Sequence, residues 1–193
     1  DVFLLAYHYN KAQKFEKAYN YFKKAGATAE KRLAYFDAYN YYVKAYRLLN
    51  QNQNVNKSEL LNLGLKISTY SWMYDDFQKN IEFLIVLENI ALDLNLDEQL
   101  ATLYFYMGKN YFLIGNNEDA IKYFDQAIPK AEKTKRNDIL GLSYCGKGRT
   151  YATLFLINDA ISYLETGIEL LPENEKQEFF FSLGALTFGY AMK

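Results

Sequence analysis

Small and aromatic residues recur along this chain at helical spacing. Ala18, Phe22, Ala25 and Ala29 fall on one stripe, and Ala38, Tyr42, Ala45 and Leu49 on another. Steps of four and three residues place each set on one face of a helix, the face that will be buried. Extending this reading predicts ten helices, at about 2–12, 15–33, 35–50, 58–73, 76–94, 97–114, 117–135, 138–155, 158–171 and 174–191. The breaks have local chemistry. Residues 51–57 are polar and amide-rich, which predicts a loop. Asp76, Asn116, Asn117, Asn137 and Asn158 supply capping or turn side chains. Pro172 stops one helix, and Asn174 can start the last. Pro129 falls inside a predicted helix, so the carbonyl of Asp125 should lose its partner there and the helix should bend.

The stripes repeat. Ala18–Ala25 returns as Ala38–Ala45 with six of eight residues identical. Over a longer interval, Tyr104, Gly108, Tyr111, Ala120, Phe124 and Ala127 return forty residues later as Tyr144, Gly148, Tyr151, Ala160, Leu164 and Gly167. The mechanical reading is a helical hairpin. Gly108 and Gly148 on the first helix, with Ala120 and Ala160 on the second, let the axes approach, and aromatic rings plug the space between.

At these spacings, an aromatic followed by Gly, Tyr, Ala, an aromatic or Leu, and Ala resembles the tetratricopeptide repeat. The signature covers 101–172 well and 1–50 fairly; over 58–95 it is replaced by Asn80, Leu84 and Leu87. The forty-residue period is similar to the repeats beside the ATPase modules of bacterial signalling proteins. Leu5-Ala6-Tyr7-His8-Tyr9 followed by Phe15-Glu16-Lys17-Ala18-Tyr19 resembles the stretch after the nucleotide-binding module in cyclase-linked and maltose-activator-like ATPases.

The resemblance implies an all-α, right-handed solenoid of antiparallel hairpins, a single repeat domain over 1–193. It would hold N-terminal repeats at 1–50, the polar loop at 51–57, and three further hairpins with a C-terminal capping helix over 58–193. First helices would line the concave side. The groove-facing residues would then be Thr102, Phe105, Lys109 and Phe112, followed by Leu142, Cys145, Arg149 and Ala152, with Phe181, Ala185 and Phe188 continuing the row. Phe105, Lys109, Phe112, Cys145, Arg149 and Phe181 are the candidate partner contacts. The row suits a peptide with hydrophobic anchors and an acidic group. Some family members grip a C-terminal carboxylate with Lys, Asn and Arg; of the matching places here, only Lys109 is suitable.

Composition narrows the function classes. The chain has 193 residues, half of them hydrophobic, and a net charge of −1. That balance points neither to nucleic acid nor to an anionic membrane. No apolar run is long enough for a membrane span. A lone Cys145 gives no disulfide framework and fits a reducing, cytoplasmic setting. The chain opens at Asp1 in what reads as mid-helix, so a piece of a larger protein is expected.

Candidate chemistry is sparse. His8 is the only histidine, without partners in pattern for a metal or a nucleophile. The pairs Asp75-Asp76 and Glu118-Asp119 sit at predicted helix starts, where the backbone dipole favours acids. Gly146-Lys147-Gly148 lies within a helix and is no phosphate loop. Nineteen tyrosines, five of them among residues 35–46, read mainly as core plugs, with ring stacking on a partner as the alternative. The expectation is a non-catalytic protein- or peptide-binding scaffold with no cofactor. The other reading is the regulatory region of a signalling ATPase or nucleotide cyclase.

Overall fold

In the computed structural model, the described residues are 2–51, 55–74 and 76–173. They form nine helices and no strand: α1 (Val2–Lys11), α2 (Phe15–Lys31), α3 (Tyr35–Asn50), α4 (Lys57–Tyr74), α5 (Phe77–Asp93), α6 (Asp97–Leu113), α7 (Asn117–Thr134), α8 (Asn137–Thr153) and α9 (Ile157–Leu170). The ends differ from the predicted ones by no more than about two residues. The expected helix at 174–191, with Phe181, Ala185 and Phe188, lies outside the described residues, as does Asp75. Among the described residues no helix is long and apolar enough to cross a membrane.

Two compact units make up the chain, Asp1–Leu96 and Asp97–Lys193. The polar segment at 51–57 therefore lies within the first.

Most of the turns share one construction. Gln13, Leu33, Asn95, Gly115, Lys135 and Phe155 each take a left-handed φ, between 54° and 80°. The next residue's N–H then reaches back five positions to a carbonyl of the last helical turn. Examples are Ala34 to Ala29 (3.0 Å), Asn116 to Tyr111 (2.9 Å) and Leu156 to Tyr151 (3.1 Å). This closure satisfies the orphaned helix-end carbonyls. Within a unit, it reverses the chain in a few residues and folds the next helix back on the one before.

In the first unit, α2 and α3 meet where Tyr42, buried, packs over Gly26; a Cβ there would lie 2.6 Å from the ring. Between α4 and α5 the small residue is kept on the first helix, where Leu87 packs over Gly64, and polarity enters beside it. Ser68, Ser71 and Asn80 are buried, and the Ser71 hydroxyl donates to Asn80 Oδ1 at 2.8 Å. Glutamates tie α2 to its neighbours. Glu30 accepts from the hydroxyls of Tyr42 (2.8 Å) and Tyr70 (2.7 Å) and from Lys66 Nζ (3.0 Å). Glu59 of α4 accepts from Tyr19 and from Lys23 Nζ.

In the second unit, α6 pairs with α7 and α8 with α9. Phe124 of α7 is the wedge. Its ring occupies the space that a Cβ would need at Gly108 of α6 (2.8 Å) and at Gly146 of α8 (2.5 Å). One aromatic thus locks its own hairpin and abuts the next. Ala120 and Ala160 are buried, as the hairpin reading expected. Helix α7 continues through Pro129 to Thr134. With Asp97, Tyr104 and Gln126, Pro129 lines a shallow depression of about 500 Å³ between α6 and α7.

Candidate partner-binding face

The face with the most binding chemistry lies on α6 and α8 of the second unit. Glycines and turns set those two first helices side by side, which brings Lys109 and Phe112 of α6 up to Arg149 of α8. The Arg149 guanidinium lies 4.9 Å from the centre of the Phe112 ring, a cation–π contact. All three side chains are partly buried. Burial first, and then the charge of Arg149, push the Lys109 ammonium down to about 8. Two cations are thus held close together in a partly dry setting beside an aromatic ring.

Two of the expected contacts belong elsewhere. Cys145 is 0% exposed. Its Sγ fills the notch at Gly167, where a Cβ would lie 2.5 Å away, and burial pushes its thiol up to about 12. It is a neutral core residue of the α8–α9 hairpin, and a partner cannot reach it. Phe105 is likewise buried, its ring tilted 43° to that of Phe124 with centres 6.3 Å apart. Each turns inward where a neighbouring helix receives it, Cys145 at Gly167 of α9 and Phe105 against Phe124 of α7. Leu142 leans on the same small cluster as Cys145. The Thr102 hydroxyl donates to the carbonyl of Glu98, and Ala152 is exposed. Phe181 lies outside the described residues.

The remaining chemistry resolves into packing. His8 is exposed, edge-on to Tyr7 at 5.8 Å. Lys147 sits within α8, donates to Asp125 Oδ1 at 2.7 Å and lies 4.4 Å over the Tyr163 ring. On α3, Tyr42 is buried, while Tyr39, Tyr41 and Tyr46 pack partly buried against the same core. That helix uses its tyrosines chiefly as core. Among the described residues no group of three His, Cys, Asp or Glu could hold a metal ion.

Sequence reasoning missed the Arg149–Phe112 stack, because it joins different helices. The forty-residue echo, which aligns Lys109 with Arg149, was the signal that could have found it.

No family model matches the sequence, and no curated protein matches it. Solved structures are similar in shape. The Rap conjugation gene regulator of the plasmid pLS20, in complex with the Phr* peptide, matches with a TM-score of 0.69 and 16% identity over 82% of this chain. This chain spans only 44% of that one. The apo form of RapI matches with a TM-score of 0.70 and 13% identity, over 92% of this chain and 72% of its own. BtubC (BKLC) from P. vanneervenii matches with a TM-score of 0.66 and 16% identity, over 98% and 79%. At such identities the likeness is one of fold: this is an all-α, tetratricopeptide-like helical repeat.

Proposed function

We propose that this chain is a non-catalytic interaction scaffold and that the α6–α8 face of its second unit receives a peptide or a segment of a partner protein. The observation that carries this is the grouping of Lys109, Phe112 and Arg149 on adjoining first helices. An apolar anchor can lie against the ring, and an acidic group can offset the two neighbouring cations. The Rap regulator of similar fold, solved with its peptide, lends support as a repeat of this shape with a peptide ligand. The mechanism is shape-complementary burial without bond making.

The test compares what the wild type and Lys109→Glu/Arg149→Glu recover from a lysate of the parent organism, after circular dichroism shows equal helix content. Loss of the recovered partners in the variant is expected; equal recovery argues against the face.

A second reading rests on the stretch from Leu5 to Tyr19. It makes these repeats the regulatory region of a signalling ATPase or nucleotide cyclase, shifting a nucleotide-dependent switch when a partner binds. It requires a nucleotide-binding module encoded upstream of Asp1, and an upstream coding region without one removes it.

A further inference from the structure

Charge is unevenly distributed along the chain. The first fifty residues carry nine Lys and Arg against four Asp and Glu, in a protein whose net charge is −1. Four of those cations, Lys14, Lys17, Lys24 and Lys31, fall on one line along α2 and its lead-in residue, interleaved with Tyr21 and Thr28. The steps between successive members alternate between three and four residues, so the line stays on one helix face. The four lysines are exposed, and none forms an ion pair among the described residues. Lys23, one stripe round, is by contrast paired with Glu59 at 2.7 Å.

The line has an aromatic floor. Tyr21 stacks on Tyr9 of α1, ring centres 5.2 Å apart and planes 17° from parallel. Lys17 Nζ lies 5.5 Å over Tyr9, and Lys24 Nζ lies 5.4 Å over Tyr21. These contacts hold the lysine stems along the helix, so less side-chain freedom remains to be lost on binding. Glu16 is an exposed acid beside the line, one stripe round.

We propose that this face of α2 docks an acidic amphipathic helix of a partner protein. The helix would lie alongside α2, with carboxylates at seven-residue intervals opposite Lys17, Lys24 and Lys31 and its apolar edge against Tyr9 and Tyr21. Seven residues advance a helix by about 10.5 Å, so lysines and carboxylates on two parallel rods stay in step, as charges flanking a coiled-coil seam do. Charge complementarity selects the occupant. A nucleic-acid strand fits less well, because its phosphates are spaced more closely than these lysines and the protein has no net positive field to hold them.

The probe is a synthetic helix of three heptads with one Glu per heptad on a single face. Its control has the same composition with the glutamates moved off register. Anisotropy titrations are run with the full chain at low and at moderate salt. The in-register peptide is expected to bind roughly tenfold more tightly than the control, with the gap narrowing as salt rises. Lys17→Gln/Lys24→Gln/Lys31→Gln should abolish that preference and leave the fold intact, since all three positions are exposed and Gln favours helix. Lys122→Gln/Lys135→Gln, in the second unit, should keep it. Equal affinity for the two peptides, or a preference that survives the triple variant, overturns the proposal. So does tighter binding of an oligothymidylate through the same lysines, which would assign the face to phosphate.

Discussion

Gly141 of α8 and Gly167 of α9 face each other across the closest approach of the last described hairpin. A Cβ on Gly141 would lie 2.8 Å from the carbonyl oxygen of Gly167, and one on Gly167 would lie 2.7 Å from that of Gly141. Backbone blocks both positions, so no side-chain rotation can relieve the clash. Gly141→Ala or Gly167→Ala should therefore cost about 1–3 kcal/mol, read as a lowered urea midpoint. Unchanged midpoints would mean that the two helices can part without loss.

The turns offer the opposite experiment. Leu33 and Phe155 hold left-handed φ values of 58° and 60°, and Phe155 is 88% exposed. A β-carbon is strained there, while glycine is not. Leu33→Gly and Phe155→Gly should each stabilise by about 0.5–1 kcal/mol, seen as higher melting temperatures. A drop in either variant would show that the lost side chain contributes more than the backbone relief.

Acid should loosen the first unit. Burial alone would raise the Glu30 carboxyl, but the hydroxyls of Tyr70 and Tyr42 and the Lys66 ammonium together hold it below its usual value. A carboxyl depressed in the folded state stabilises above its unfolded pKa and loses that contribution as pH falls through the folded one. Urea midpoints should fall between roughly pH 5 and pH 3. Glu30→Gln should lower the midpoint at neutral pH and flatten this dependence; an unaltered slope would remove Glu30 as its source.

Lys109 should act with the opposite sign. Its ammonium is pushed down to about 8, so between there and the ordinary lysine range the unfolded chain binds more protons than the folded one. Stability should therefore rise with pH across that window. Lys109→Met should raise the melting temperature at pH 7 and abolish the rise. A pH profile identical to the wild type would show that the ammonium is not desolvated.

Native Cys145 should resist thiol reagents. Full burial and a thiol held near 12 leave almost no reachable thiolate. Modification by a disulfide reagent should follow the rate of unfolding; rapid labelling in native buffer would place the sulfur at the surface.

The helices were legible because small residues at the crossings leave an unambiguous period. Even Asn80, which breaks the signature, sits in the buried place that alanine holds in the next hairpin at Ala120. The candidate site was less legible. Phe105 and Lys109, like Cys145 and Arg149, are one helical turn apart and share a stripe in the sequence. Which member turns inward depends on Gly167 and Phe124, residues on other helices. The turns were located by polar residues, but their left-handed members were hidden, because only Gly115 of the six is a glycine. The hydrogen bonds that close the other turns offset their strain, and no residue type announces them.

Asn95 and Lys135 stand forty residues apart in turns of the same construction, and so do Gly115 and Phe155. A segment excised or copied between either pair would rejoin like to like. Such an architecture grows or shrinks by whole modules under recombination, with every new junction already tested by the old ones.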